Sequence, residues 1–556
     1  MAASPPVQPP RDGDGAPRTV ANSEGGRVFA VPPRIRLLRF LILGNQQGTY
    51  YARAAADEAD ALAALADLID ASGGPSAVRL IEAVSQAGRA KAQRGVLLAL
   101  AACAASDDEP TAMAAHDALP AVARTPTMFF EYLSLRQAHA TRRMQGRGWG
   151  RRHRRLVRRW YCTRGAMDLA KLVTKYRRRC GYTHRDALHL GHVRPPTAAH
   201  QALFRYAAGK PHGVQQSEND DDARAVGRYL DAIDEAARQP DTAEGHSKLV
   251  ALIREFKLVH EHIPQACLGA QGVWAALLPA MPLGALIRNL NRLTAVGVIG
   301  PDQPHATQQV ANRLQDAQGL RKARIHPMAV LLAHRTYAQG RGERGGMLWA
   351  PCDTITRALD RAFVASFAAV VPTGQRVVVA LDVSGSMMAP CSGASAMSCA
   401  EAAAAMAVVT ARTEPCCTAM CFAHTFESFP LTRHTSLSEA TSAMRDRAFG
   451  MTDCSLPMQW AETHGVDVDL FIVYTDSETC YGNEHPSRAL QRYRSTRDLP
   501  HAKLAVVGMA SNGFTIADPN DAGMLDVVGF DAGAPDAIAE FARGFQTPRA
   551  DDTDHE

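Results

Sequence analysis

The stretch Arg376-Val377-Val378-Val379-Ala380-Leu381-Asp382-Val383-Ser384-Gly385-Ser386 decides the architecture of the C-terminal part of this 556-residue chain. Its first six residues form a short apolar, β-branched run. A parallel strand covered by helices on both faces calls for such a run, because neither face meets water. Thr418–Phe422, Leu470–Tyr474 and Lys503–Val507 repeat the signal, with helical material such as Ala400–Thr410 between them. Strand alternating with helix implies an open, doubly wound α/β sheet over residues 372–548.

The polar residues that follow these strands carry the chemistry. Asp382, Ser384 and Ser386 follow the first strand, Thr452 lies in the loop Gly450–Cys454, and Asp476 follows Tyr474-Thr475. By itself Asp382-x-Ser384-x-Ser386 reads as a polar turn in which Asp382 caps the next helix. The later Thr452 and Asp476, each placed to reach the same sheet edge, turn the reading towards a metal site. Two carboxylates and three hydroxyls are hard oxygen ligands suited to a divalent cation, Mg²⁺ or Mn²⁺. The pattern resembles the metal-ion-dependent adhesion site of von Willebrand A domains, and every position of it is present. His424 and Glu478 lie near these loops, but no spacing makes them an acid–base pair, so no catalysis is expected.

Working towards the N-terminus, the texture changes near Pro351–Pro372, the expected joint between domains. From Arg34 to Tyr337 apolar residues recur at three- and four-residue steps, as in Ala56–Ile69, Val78–Ala87, Gly95–Ala105, Thr111–Ala123 and Met128–His139. Short breaks separate them. Such a succession suits stacked helix pairs in an α-solenoid, with an ordinary helical bundle as the alternative. Residues 1–27, rich in Pro, Gly, Ala and Asp, read as a disordered tail, and residues 549–556 as an acidic one.

Twelve cysteines occur without a CxxC pair, which points to reduced thiols in a cytoplasmic protein. No apolar run approaches the roughly 18–20 residues that span a bilayer, so no membrane partner is expected.

The formal net charge of +5 says little; its distribution says more. Between Arg142 and Asp186 sixteen Lys/Arg face two acids, Asp168 and Asp186. Arg151, Arg152, Arg154 and Arg155 form one cluster, and Lys175, Arg177, Arg178 and Arg179 another. Like charges at helical spacing repel unless an anion relieves them, which favours a polyanionic ligand over a plain solvated face. Trp149, Trp160, Tyr161, Tyr176 and Tyr182 are interleaved and either stack on unpaired bases or anchor the helices. Trp160 fits the core better, and Tyr182, in a loop-like Gly-Tyr-Thr, is the fairer stacking candidate. His184, His189 and His192 lack a cysteine or carboxylate at zinc spacing, so RNA contact or packing suits them better than metal.

Several long motifs then occur in fixed order. Leu38–Leu41, Gly48–Tyr51, Val173–Tyr176, Met281–Leu283, Arg288–Leu290 and Ala323–Pro327 resemble the TROVE module of the Ro ribonucleoprotein (SS-A/Ro autoantigen) family, and Thr452–Met458 and Ser511–Pro519 continue the likeness. The resemblance implies an all-α, HEAT-like helical-repeat ring over 28–355, closed by a doubly wound von Willebrand A domain. It implies binding of small non-coding Y-like RNAs on the ring's outer surface and of the single-stranded 3′ ends of misfolded RNAs in its hole. Lys175, Arg179 and His192 are similar to family positions that contact Y RNA. Bacterial relatives are linked to polynucleotide phosphorylase, an exoribonuclease; DNA is not an expected ligand. The arginines at 151–159 depart from the family pattern. The rival reading is a metal-dependent protein-interaction adaptor acting through the α/β domain without RNA.

Overall fold

The helical periodicity before Pro351 becomes helices. In the computed structural model Ala56–Asp70, Gly74–Gln86, Gln93–Ala104, Glu109–Val122 and Pro126–Arg142 are α-helices, and ten-residue or longer helices continue to Pro327–Ala338. Their buried faces follow the 3.6-residue period: Val78, Ile81 and Val84 line one helix, and Ala112, Ala115, Ala118, Leu119 and Val122 another. Ends are set locally. Pro75 opens Gly74–Gln86, and the Asp108 carboxylate accepts the Thr111 N–H at 3.0 Å ahead of Glu109–Val122. The structure describes residues 19–21, 27–30, 33–43, 56–90, 93–142, 149–213, 220–342, 346–367, 372–391, 394–445, 450–476, 479–509, 514–518, 521, 523–528 and 533–543.

Two expectations about segment boundaries change. The tail expected over 1–27 is shortened, because β1 (Thr19–Ala21) and β2 (Arg27–Ala30) pair antiparallel. Residues 1–18 and the acidic tail at 549–556 lie outside the described residues. The joint expected at Pro351–Pro372 contains a helix, Asp353–Ala365, whose Ile355, Leu359, Ala362 and Phe363 are fully buried. Its apolar stripe needs a core, which a linker does not supply.

A small hairpin follows the arginine-rich helix Arg151–Cys162. Strands β3 (Arg178–Arg179) and β4 (Tyr182–Thr183) are joined by Cys180-Gly181, both at positive φ (49° and 80°). That is the two-residue turn whose twist matches a hairpin.

The second half holds the expected sheet. Strand β5 (Arg376–Asp382) is followed by a short pair, β6 (Pro390–Cys391) and β7 (Ala394–Ser398), then β8 (Cys416–Phe422), β9 (Phe426–Ser428), β10 (Leu470–Thr475), β11 (Lys503–Gly508), β12 (Phe514–Thr515) and β13 (Met524–Val528). The main sheet runs β13-β11-β10-β5-β8-β9, parallel except for the edge strand β9. Alternate residues serve opposite faces. Val378, Ala380, Phe471, Val473, Leu504 and Val506 pack with Met458, Ala461, Ala489, Leu490 and Tyr493 of helices Leu456–Thr463 and Pro486–Thr496. Leu470 and Ile472 face Val409 and Ile538 of helices Cys399–Thr413 and Gly533–Ala542. Helices on both faces explain why the strands read as unbroken apolar runs.

Among the described residues two compact units form. One draws on the chain up to Val96, on Arg324–Leu332 and on the chain from Asp360; the other on Leu97–Ala323 and Ala333–Leu359. In the first, β12 extends β2, and helix Pro33–Leu43 contacts β13. In the second, the packing centre is Trp160. Its ring stacks on Phe129 with centroids 4.3 Å apart, its indole N–H donates to the Ala123 carbonyl at 2.8 Å, and the Arg164 guanidinium lies 4.0 Å above it. Trp160→Phe should destabilise the chain by about 2 kcal/mol, the cost of a partial cavity plus one lost buried hydrogen bond. Urea unfolding followed by circular dichroism measures this; an unchanged midpoint would contradict the packing.

Candidate functional site

Parallel strands β5 and β10 lie side by side, and the chain leaves them towards opposite faces of the sheet. Their C-terminal ends therefore bound a crevice, the topological switch point where open α/β sheets take ligands. Asp382 ends β5 and Asp476 follows β10. Asp382, Ser384, Ser386, Thr452 and Asp476 are all at most 2% exposed. Asp382 does not cap a helix. One carboxylate oxygen accepts the Ser384 N–H at 2.9 Å and the other accepts the Thr475 hydroxyl at 2.6 Å. Ser384 opens the single 3₁₀ turn Gly385–Met388 and lies 3.1 Å from Ser386, Oγ to Oγ.

Thr452 is held by its main chain, whose carbonyl accepts the N–H groups of Cys480 and Tyr481, each at 3.0 Å. Its buried Oγ1 has no hydrogen-bond partner among the described residues. A hydroxyl left unpaired in the interior costs about 1–3 kcal/mol unless something else engages it. The next residue, Asp453, accepts the Ser455 N–H at 2.9 Å, and Gly482 packs so closely on it that a Cβ there would lie 2.2 Å from its carboxylate. With an all-oxygen donor set and an orphaned hydroxyl, the residues present fit a hard divalent ion. His424 is exposed and bonds to no carboxylate among the described residues; Glu478 lies outside them.

The arginine-rich segment is a second, separate feature. Helix Arg151–Cys162 buries His153, Leu156, Val157, Trp160 and Tyr161 and exposes Arg151, Arg152, Arg154, Arg155, Arg158 and Arg159. The run is thus an amphipathic helix with one wholly cationic face. The lack of opposing charge inferred from the local sequence is corrected by the fold. Arg152 pairs with Glu109 at 2.5 Å and Arg159 with Asp117 at 2.6 Å, both acids coming from the helix Glu109–Val122. Arg151, Arg154, Arg155 and Arg158 have no acidic partner among the described residues. In the hairpin Arg178 and Arg179 are likewise exposed and unpaired, while Arg177 donates to the Thr174 carbonyl at 3.2 Å. Lys175 is only 18% exposed and pairs with Glu261 at 3.3 Å. His192 is exposed, with a left-handed φ of 48°.

The aromatic expectations divide. Trp160 and Tyr161 are core, as is Tyr182, so the stacking role expected of Tyr182 is withdrawn. Its hydroxyl finds Gln137, a partner 45 residues earlier that draws it inward. Trp149 and Tyr176 are half-buried. His184 packs rather than binds: it meets the Tyr161 hydroxyl at 2.8 Å and the Tyr176 carbonyl at 3.0 Å. Burial pushes its pKa down to about 4. Burial, with the nearby Arg136 charge, pushes His153 to about 3. Both are therefore neutral in the folded chain, whereas an unfolded histidine takes up a proton near pH 6.5. Their contribution is complete above about pH 6.5 and drains as the pH falls towards about 4. For His184 the loss is on the order of 3 kcal/mol. Unfolding free energies that stay level from about pH 7 to about pH 4.5 would contradict this.

Comparison with known proteins follows the same two parts. Residues 376–542 match the Ro60 vWA domain, and residues 20–265 and 253–336 match the TROVE domain. The chain belongs to the Ro60 family. It is 37% identical over 529 residues to the RNA-binding protein RO60 of Deinococcus radiodurans, covering 95% of this chain and 96% of the relative. With the RNA-binding protein RO60 of Caenorhabditis elegans the identity is 31% over 588 residues, covering 94% and 90%. The crystal structure of the Deinococcus radiodurans RO (RSR) protein superposes with a TM-score of 0.68 at 36% identity, spanning 92% of this chain and all of that one. A helical-repeat region followed by a von Willebrand A-like domain is thus the architecture of this Ro60-family chain. Neither family description carries an enzymatic activity.

Sequence reasoning missed the groups that tune these sites in the Ro60-family chain. Glu109 and Glu261 neutralise two expected RNA-binding cations, Arg152 and Lys175, and Asp117 neutralises their neighbour Arg159, from 42 to 86 positions away, and no local signal marks them. Thr475, which braces Asp382, carried one faint signal: a hydroxyl on the residue before Asp476.

Proposed function

We propose that the chain is the protein component of a ribonucleoprotein. It takes small structured Y-like RNAs on its arginine surface, and unpaired 3′ ends of misfolded RNAs in the hole of a helical-repeat ring. It acts in the cytoplasm beside an exoribonuclease such as polynucleotide phosphorylase, to which it presents those ends. The observation that carries this reading is the set of exposed guanidinium groups in this segment without acidic partners among the described residues: Arg151, Arg154, Arg155 and Arg158 on the helix and Arg178 and Arg179 in the hairpin. Crowded like charges repel, and phosphates along a ribose chain relieve that repulsion while releasing counterions. Lys175 and Arg152 must leave Glu261 and Glu109 to join them, so they contribute less. The name of both relatives, RNA-binding protein, favours RNA over DNA.

In the α/β domain, Asp382, Ser384, Ser386, Thr452 and Asp476 would hold Mg²⁺ or Mn²⁺. The ion supplies a positive docking point for an acidic group of a protein partner, and no bond is broken there. The test is ultraviolet crosslinking of the purified protein to a structured RNA with a single-stranded 3′ tail, followed by peptide mapping. Crosslinks within 149–192 are expected; crosslinks confined to the α/β domain would overturn the assignment.

A second reading, a protein adaptor without RNA, is favoured by Met388, Met451 and Tyr481, exposed at 41%, 43% and 36% on the loops that carry the metal-ligating residues. Protein that purifies free of nucleic acid and shows no crosslinks supports the adaptor.

A further inference from the structure

Away from the sheet crevice, one cluster has the composition of a transition-metal site. Asp241, His246 and Cys267 offer a carboxylate oxygen, an imidazole nitrogen and a sulfur, all within 4.8 Å of one another. Local chemistry assembles two of them. Helix Ala243–Phe256 starts at Thr242, whose hydroxyl accepts the Gly245 N–H at 3.2 Å. Asp241 precedes that cap and His246 stands in the first turn, its Nε2 lying 2.8 Å from Asp241 Oδ1. The turn closes because residue 245 is glycine: a Cβ there would lie 2.1 Å from the Pro240 carbonyl oxygen. The short turn Ala266–Gly269 then delivers Cys267, fully buried, with its sulfur at 3.6 Å and 3.9 Å from the carbonyls of Pro240 and Gln239. Both contacts are long, so the thiol has no strong partner holding it.

Sulfur, nitrogen and oxygen together select a borderline-soft ion and disfavour Mg²⁺ or Ca²⁺. Around Zn²⁺, with bonds of about 2.0–2.3 Å, ligand atoms stand roughly 3.3–3.7 Å apart. To reach that range the Asp241–His246 pair opens from 2.8 Å and any ligand atoms standing up to 4.8 Å apart close, both by side-chain rotation. Asp241 is exposed and His246 half-buried, which leaves room to adjust and a path of entry. We propose that Asp241, His246 and Cys267 bind one Zn²⁺, with water in the fourth position, as a staple between the start of helix Ala243–Phe256 and the turn Ala266–Gly269. The site is chemically distinct from the oxygen-only crevice.

The test uses the full chain, stripped by chelator and supplied with excess Mg²⁺ so that hard-oxygen sites are filled. Co²⁺ is titrated as a spectroscopic probe, then Zn²⁺. One equivalent of Co²⁺ should give a thiolate-to-cobalt charge-transfer band that Zn²⁺ removes. Cys267→Ala should abolish the band and weaken Zn²⁺ binding by at least about 100-fold, more than the loss of an outer partner costs. His246→Ala, which leaves the buried core intact, should do the same. No thiolate band in the wild type, or a band that survives in both variants, overturns the proposal. Either result leaves the Mg²⁺ or Mn²⁺ assignment at Asp382 standing.

Discussion

Replacing Arg151, Arg154, Arg155, Arg178 and Arg179 together by glutamine is expected to weaken binding of a structured RNA on the order of 100-fold near physiological salt, at about 0.5 kcal/mol for each exposed ionic contact. The salt dependence should change with it. Each lost phosphate contact flattens the log–log slope by roughly 0.7–0.9, so five lost contacts flatten it by about 4. The paired arginines are the internal control. Arg152 and Arg159 lie on the same exposed face but already face Glu109 and Asp117. Arg152→Gln with Arg159→Gln should therefore cost much less per residue than the unpaired set. Equal losses per arginine would show that charge on this helix acts as an undifferentiated cloud.

Asp382→Ala should abolish divalent-ion binding at the crevice, with an uncommon stability pattern. Metal-free, the wild type buries two carboxylates, Asp382 and Asp476, at the end of one sheet, so removing one relieves repulsion and offsets the loss of the bonds from Ser384 and Thr475. Without divalent ions, Asp382→Ala should unfold close to the wild type. With Mg²⁺ or Mn²⁺ at about 100 times its dissociation constant, the wild type should gain about 2.7 kcal/mol and the variant nothing. Calorimetric melts with and without the ion measure both quantities. Equal stabilisation of the two proteins would place the ion elsewhere.

What could be read in the sequence divides along physical lines. The core strands at Arg376–Leu381, Leu470–Tyr474 and Lys503–Val507 were legible because burial on both faces leaves only apolar, β-branched residues. Four of the five expected metal positions, Asp382, Ser384, Ser386 and Asp476, were read from strand ends, where a strand's terminus fixes the place of the next polar residue; Thr452 was read from the loop Gly450–Cys454. Short elements were not legible: Thr19–Ala21 and Phe514–Thr515 are too brief for a period and exist through pairing with Arg27–Ala30. Counterions and buried hydroxyl partners were invisible for a different reason. Glu109 lies 43 residues from Arg152, and Gln137 lies 45 from Tyr182, so only the fold brings them together. The same holds for Cys267, which no spacing ties to Asp241 and His246.

The most direct test of RNA recognition by the helical unit is a fluorescence anisotropy titration of a labelled RNA hairpin with a single-stranded 3′ tail, repeated from about 50 to about 200 mM salt. Saturable binding should appear at the lowest salt and fall linearly on log–log axes with a slope of several units. An RNA that stays unbound at the lowest salt, or an affinity indifferent to salt, would contradict the proposal that unpaired arginines on the helical unit meet phosphate.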